Sequence, residues 1–165
     1  MICFFRVSEF VVRSLDESTG SHSVYREWRN FQVMFHVSTL MPFSHSTEDR
    51  QQIQRKRHIG NDIVTLVFID GYGQYDPRTI KSQFLHVFIA IQRIKSTTPG
   101  VARYRVAVGS NEDVPEFGPW VPKPAEFDET DEFRHFLFAK SKTSFTEIKN
   151  NPPPKKKKKR KRKTQ

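Results

Sequence analysis

Two short apolar runs set the first limit on how this chain can fold. Residues 62–69 read Asp-Ile-Val-Thr-Leu-Val-Phe-Ile, almost without polar interruption. Such a run has no wet face, so it suits a strand covered on both sides, as at the centre of a sheet flanked by helices. Residues 84–92, Phe-Leu-His-Val-Phe-Ile-Ala-Ile-Gln, repeat the pattern. Residues 31–39 are rich in aromatic and β-branched types and read as a further strand, which Pro42 stops. Arg103 to Val108 alternates as a strand with one wetter face would. Met1 to Phe5 is apolar and reads as the edge of a strand ahead of Arg6. The expectation is an α/β domain with three or four sheet strands, two of them central.

Length and charge sharpen this. At 165 residues the chain fits one domain, over residues 1–150, with a tail over 151–165. Only 36% of residues are hydrophobic, but fifteen phenylalanines supply bulky core material. The net charge of +10 is uneven: Lys155 to Lys163 contribute nine positive charges, which leaves about +1 for residues 1–154. The basic balance therefore describes the tail and not the body. Pro152 to Pro154 and the basic run bury nothing, and the tail is expected to be disordered. Cys3 is the single cysteine, so no internal disulfide forms, and no apolar run approaches membrane-spanning length. A cytoplasmic protein is the expectation, with membrane or nuclear association through the polybasic tail as its variant.

Between the strands, Ser46 followed by Glu48 and Asp49 reads as a helix start, with helix formers over 47–58 and an end near Gly60. Asp70 to Gly73 and Ser96 to Gly100 read as loops, and 114–124, with Pro115, Pro119, Pro122 and Pro124, as an extended loop. Asp131 to Lys140 has Phe133, Phe136, Leu137 and Lys140 at helical spacing and reads as an amphipathic helix, after which the pattern decays. Residues 1–30 are ambiguous: Phe10 to Val12 could extend a strand, Thr19 to Ser21 reads as a turn, and Tyr25 and Trp28 are anchors without an evident partner.

The junction between the first helix and the buried strand carries Arg55, Lys56, Arg57, His58, Gly60 and Asn61. If the helix persists to Asn61, the side chains of Arg57, His58 and Asn61 project together, being three and four positions apart. A carboxamide donates and accepts hydrogen bonds but has no proton to lose, so it suits orienting a water and not acting as a base. Histidine could serve as acid, base or donor. Spacing alone favours the plainer reading, a polar helix end with Asn61 as a cap. His36 and His86, embedded in apolar strands, read as hydrogen-bonded core residues, and His22, His45 and His135 as exposed ones. No metal-ligand spacing, Gly-x-Ser-x-Gly elbow or phosphate-cradling glycine loop is present, and no metal is expected.

The blocks Thr19 to Tyr25, Met34 to Thr39, Gln51 to Gln52 with Arg55 to Val64, Asp113 to Pro119 and Glu132 to Leu137 closely resemble, in order, those of the Rap GTPase-activating protein domain. The likeness is nearest the Rap-directed, signal-induced proliferation-associated branch and is clearest over 19–140. It implies a G-domain-like central mixed β-sheet with flanking helices. It also implies a partner, a Rap-like small GTPase in its GTP form, and a mechanism in which an asparagine thumb enters that partner's nucleotide site and positions the hydrolytic water. Asn61 matches the thumb and His58 a neighbouring family histidine that holds the thumb or the partner. Lys56 and Arg57 match basic residues that contact the GTPase. GTP and Mg²⁺ would belong to the partner; the domain has no cofactor of its own and no independent reaction.

The resemblance further implies packed helices beyond Lys140, where this sequence has Ser141 to Asn151, a triproline and the lysine run. A domain truncated at that end, with apolar sheet surface exposed, is the expectation. The alternatives are a non-catalytic GTPase-binding module, or a tail-driven binder of anionic membrane or nucleic acid.

Overall fold

The computed structural model describes residues 2–7, 20–49, 51–80 and 82–152. The basic run Lys155 to Lys163 and the strand expected over Phe10 to Val12 lie outside them. The strands are β1 (Ile2–Val7), β2 (Val24–Trp28), β3 (Phe31–Val37), β4 (Val64–Ile69), β5 (Val87–Ile94), β6 (Arg103–Ser110) and β7 (Glu126–Asp128). The α-helices are α1 (Ile53–Ile59) and α2 (Asp131–Asn150). One seven-stranded sheet runs in the order β2-β3-β1-β4-β5-β6-β7. Among the described residues only β4 and β5 pair in parallel and the other neighbours are antiparallel, so the sheet is mixed.

The two apolar runs are the central parallel pair, in the register Val64↔Val87 through Ile69↔Gln92. All four residues Val64 to Val67 are buried, on both faces of the sheet. Val87, Ile89 and Ile91 continue the buried row next door. Side chains of this kind contribute roughly 1.5–3 kcal/mol each when fully buried, so this pair dominates the stability of the sheet.

The sheet is wider than three or four strands. The apolar start does form a strand, and β1 lies inside the sheet between β3 and β4. β2 carries exposed residues until Trp28, so it lacks the burial pattern that would announce it. β7 is only three residues long and follows the proline-rich loop.

The largest departure is α2. It does not decay at Lys140 but runs for 20 residues to Asn150. Thr130 caps its start by accepting from the Phe133 N–H, and Asp131 and Glu132 suit its positive end. Its buried stripe is Phe133, Lys140, Ser141, Ser144 and Ile148. Two serines and a lysine in that stripe hide it from a hydrophobicity pattern. The helix lies over one face of the sheet. Phe133 stacks on Tyr104 and Phe127, with ring centroids 5.4 and 5.1 Å apart, while Phe138 stacks on Trp28 at 5.8 Å and meets Phe35 edge-on. Trp28 thus finds its partner in Phe138.

Lys140 ties the proline-rich loop to this helix. Its ammonium, on a residue only 4% exposed, donates to the Phe117 carbonyl at 2.6 Å and lies 4.0 Å from the centre of the Phe117 ring. Thr143 donates to the Gly118 carbonyl beside it. Burial lowers the Lys140 pKa from its ordinary value. Among the described residues, no helix is long and apolar enough to cross a membrane.

Two outcomes follow. Ile148→Ala should cost about 2–5 kcal/mol in denaturant unfolding, because Ile148 is core only if α2 extends past Lys140. An ammonium with a lowered folded pKa binds its proton more tightly in the unfolded chain. Stability therefore rises with pH between the lowered folded value and the unfolded value of about 10.4. Across that window wild type should gain on Lys140→Met in paired melting curves, and below it the difference should be flat.

Candidate functional site

α1 is seven residues long, too short to hold itself together in water. It does not begin at Ser46. Thr47–Asp49 form a 3-10 turn, Gln52 takes a left-handed conformation with φ 52°, and the α-helix starts at Ile53. The end is satisfied from a distance: the Ile53 N–H donates to the Asp49 carboxylate at 2.7 Å. The Gln52 amide brackets Ser44, accepting from its N–H at 3.0 Å and donating to its carbonyl at 2.8 Å. The Arg55 guanidinium donates to the Met41 carbonyl at 2.6 Å and the Pro42 carbonyl at 2.9 Å, and lies over the Phe43 ring. Arg55 is therefore a strut between the helix and the preceding loop, unlike its neighbours. Lys56 and Arg57 are exposed in the last turn, where cations suit the negative helix end, and their side chains make no hydrogen bond or ion pair among the described residues.

The helix stops at Ile59, short of Asn61, but the winding tightens and does not break. The Asn61 N–H donates to the His58 carbonyl at 3.2 Å and the Asp62 N–H to the Ile59 carbonyl at 3.3 Å. Gly60 has φ −69°, an ordinary right-handed value, so glycine is not needed there for a left-handed cap. Space is the tighter constraint: a Cβ at Gly60 would sit 3.1 Å from the Lys56 carbonyl oxygen, so the turn would have to give slightly, and 3.6 Å from Ser82 Cβ, an ordinary contact. The Ser82 hydroxyl donates to the Gly60 carbonyl across that gap.

Asn61 is exposed at the tip of this turn, and its carboxamide has no hydrogen-bond partner among the described residues. Asp62 beside it is buried, 2% exposed, and its carboxylate meets His36 Nδ1 at 2.9 and 3.1 Å. His58 is half-buried, and its ring centre lies 6.3 Å from that of His36. His36 comes from the face of β3 opposite Phe35, which packs under α2. The two helices thus lie on opposite faces of the sheet, and α1 ends where β4 and β5 begin. Of the four residues singled out from sequence, Asn61, Lys56 and Arg57 are brought together on the surface, and His58 turns partly inward.

With this arrangement in view, the relatives are informative. The chain matches the Rap/ran-GAP family over residues 11–164. The chain belongs to that family. It is 46% identical over 125 residues to "Signal-induced proliferation-associated 1-like protein 1" of Mus musculus, an alignment covering 75% of this chain and 7% of that protein. It is 43% identical over 128 residues to "GTPase-activating Rap/Ran-GAP domain-like protein 3" of Homo sapiens, covering 76% of this chain and 12% of that protein. The chain thus spans only a small fraction of the length of these curated relatives. The solved "Structure of the TSC2 GAP domain" superposes with a TM-score of 0.66 at 26% identity, over 89% of this chain and 79% of that one.

Within this Rap/ran-GAP domain, sequence reading missed the supports of the site. Arg55 read as one of three equivalent cations, Asp62 as the first residue of a strand, and Ser82 as nothing in particular. Their partners lie 14, 26 and 22 residues away in sequence, beyond any local pattern. The basic charge of Arg55 is the part with a direct structural readout. Arg55→Ala should lower stability by about 1.5–3 kcal/mol, as loss of a charged hydrogen-bond donor does, measured by denaturant midpoint. The same change at Lys56 or Arg57 should stay within about 0.5 kcal/mol.

Proposed function

We propose that this domain accelerates GTP hydrolysis by a Rap-like small GTPase in its GTP-bound form. Asn61 enters the partner's nucleotide site and orients the attacking water. The observation that carries the reading is the state of Asn61: an exposed, unengaged carboxamide at the tip of a turn whose neighbours are both anchored. Phosphoryl transfer depends on positioning and charge stabilisation, so one placed carboxamide contributes strongly without any proton transfer. The GTP and Mg²⁺ are the partner's.

The surroundings support a docking surface. Lys56 and Arg57 offer charge to an acidic partner, and exposed Phe43, Ile53 and Phe84 add apolar area around α1. His58, half-buried against His36, fits a role in holding the turn better than one in touching the partner. A kinship with the G domain is part of the same reading, supported by the parallel β4–β5 pair with a helix on each face. The nine charges of Lys155 to Lys163 suit a separate contact with an anionic membrane or nucleic acid.

Single-turnover hydrolysis across purified Ras-family GTPases is the test. Wild type should accelerate hydrolysis by a Rap-like member. Asn61→Ala should remove at least about 100-fold of that acceleration, the scale of losing one placed polar group, while affinity for the GTP-loaded partner stays within a few-fold. Acceleration unchanged in Asn61→Ala would exclude the thumb role, and binding without acceleration by wild type would make the domain a non-catalytic module. Deleting residues 152–165 should abolish vesicle or nucleic-acid binding and leave the acceleration intact.

A further inference from the structure

The geometry points to His36 and Asp62 as positioning residues that hold the Asn61 turn in its working orientation, an inference that rests on the proposed role of Asn61. Asn61 is the single residue between two tethered neighbours. On one side the Gly60 carbonyl is held by the Ser82 hydroxyl. On the other, the Asp62 carboxylate is held by His36 Nδ1, with both carboxylate oxygens within 3.1 Å. A carboxylate only accepts, so Nδ1 of His36 carries the hydrogen and donates it.

The pair spans the fold. His36 sits on β3, two strands away from β4, with β1 between them. Asp62 follows the Gly60–Asn61 turn, two positions ahead of β4. Linking them fixes the end of α1 relative to the sheet, and the His58 ring against His36 closes the same corner from within the helix. A hydrogen-bonded carboxylate taken out of water is a weak source of stability, since desolvation opposes the attraction, and an apolar pair would often serve as well. What such a pair supplies is a defined direction, which a turn presenting a water-orienting carboxamide requires. Misplacement of reacting groups by about 1 Å costs on the order of 100-fold in rate.

His36→Ala and Asp62→Ala should each lower kcat for activated hydrolysis by about 10–100-fold while KM for the GTP-loaded GTPase stays within about threefold. Asp62→Asn, whose amide oxygen still accepts from Nδ1–H, should recover most of the loss. The double variant His36→Phe/Asp62→Leu removes the brace without leaving a buried charge; it should keep the wild-type melting temperature and still lose kcat. Full kcat in that stable double variant, or a KM rise with kcat intact, would overturn the proposal.

A readout independent of activity accompanies these. The backbone amides of Asn61 and Asp62 should lose hydrogen-exchange protection in the double variant, while those of β4 and β5 keep theirs. Unchanged protection at both amides would equally overturn the brace. Asn61→Ala separates the two ideas. If that variant retains wild-type kcat, the thumb reading fails, and the exchange measurement alone still decides whether His36 and Asp62 order the turn.

Discussion

Burial of β4 on both faces is the constraint on which the site depends. Val64 to Val67 are enclosed from above and below, and β5 locks them in parallel register. A strand so enclosed is held in place by close packing of its side chains on both faces, which tolerates little displacement. Asn61 and Asp62, three and two positions ahead of its first residue Val64, must therefore emerge at a fixed point at one end of the sheet. A site built at the end of such an element inherits its rigidity, which loops alone do not provide.

The same constraint explains what was legible in the sequence. A run without polar positions has one physical solution, so β4 and β5 were readable directly, including their central place. β2 and β7 were not, because a strand with four exposed residues or only three residues carries no period to detect. The length of α2 was hidden for a different reason. Lys140, Ser141 and Ser144 are buried, yet each scores as polar. The lysine is compensated by the Phe117 carbonyl and ring, which no helical pattern contains, whereas the Ser144 hydroxyl donates within the helix to the Lys140 carbonyl one turn back. One tertiary partner and one bond back along the helix let polar residues sit in a core stripe.

The helix start failed in the opposite direction. Ser46, Glu48 and Asp49 carry the local chemistry of a cap, and Asp49 does cap α1, but four residues further on. The left-handed Gln52 between them re-aims the chain, and its side chain satisfies Ser44 on the way. At the site itself, the family likeness located Asn61, His58, Lys56 and Arg57 by motif. It did not separate Arg55, which faces the Met41 and Pro42 carbonyls, from the two cations that face solvent. That distinction belongs to the packing and not to the motif.

A seven-residue helix holding an exposed carboxamide would be a poor instrument if its stability were its own. Here α1 is ordered by groups that leave the Asn61 side chain unengaged: Asp49 and Gln52 at its start, Arg55 along its flank, Ser82 and Asp62 at its end. Each tether fixes backbone, and none engages the Asn61 side chain. The backbone entropy of the turn, roughly 1–2 kcal/mol per residue, is therefore already spent in the folded domain, before any partner arrives. Only the carboxamide's own torsions remain to be ordered on contact. That division, a fixed turn with one unengaged polar group, is what preorganisation would require for the role proposed for Asn61.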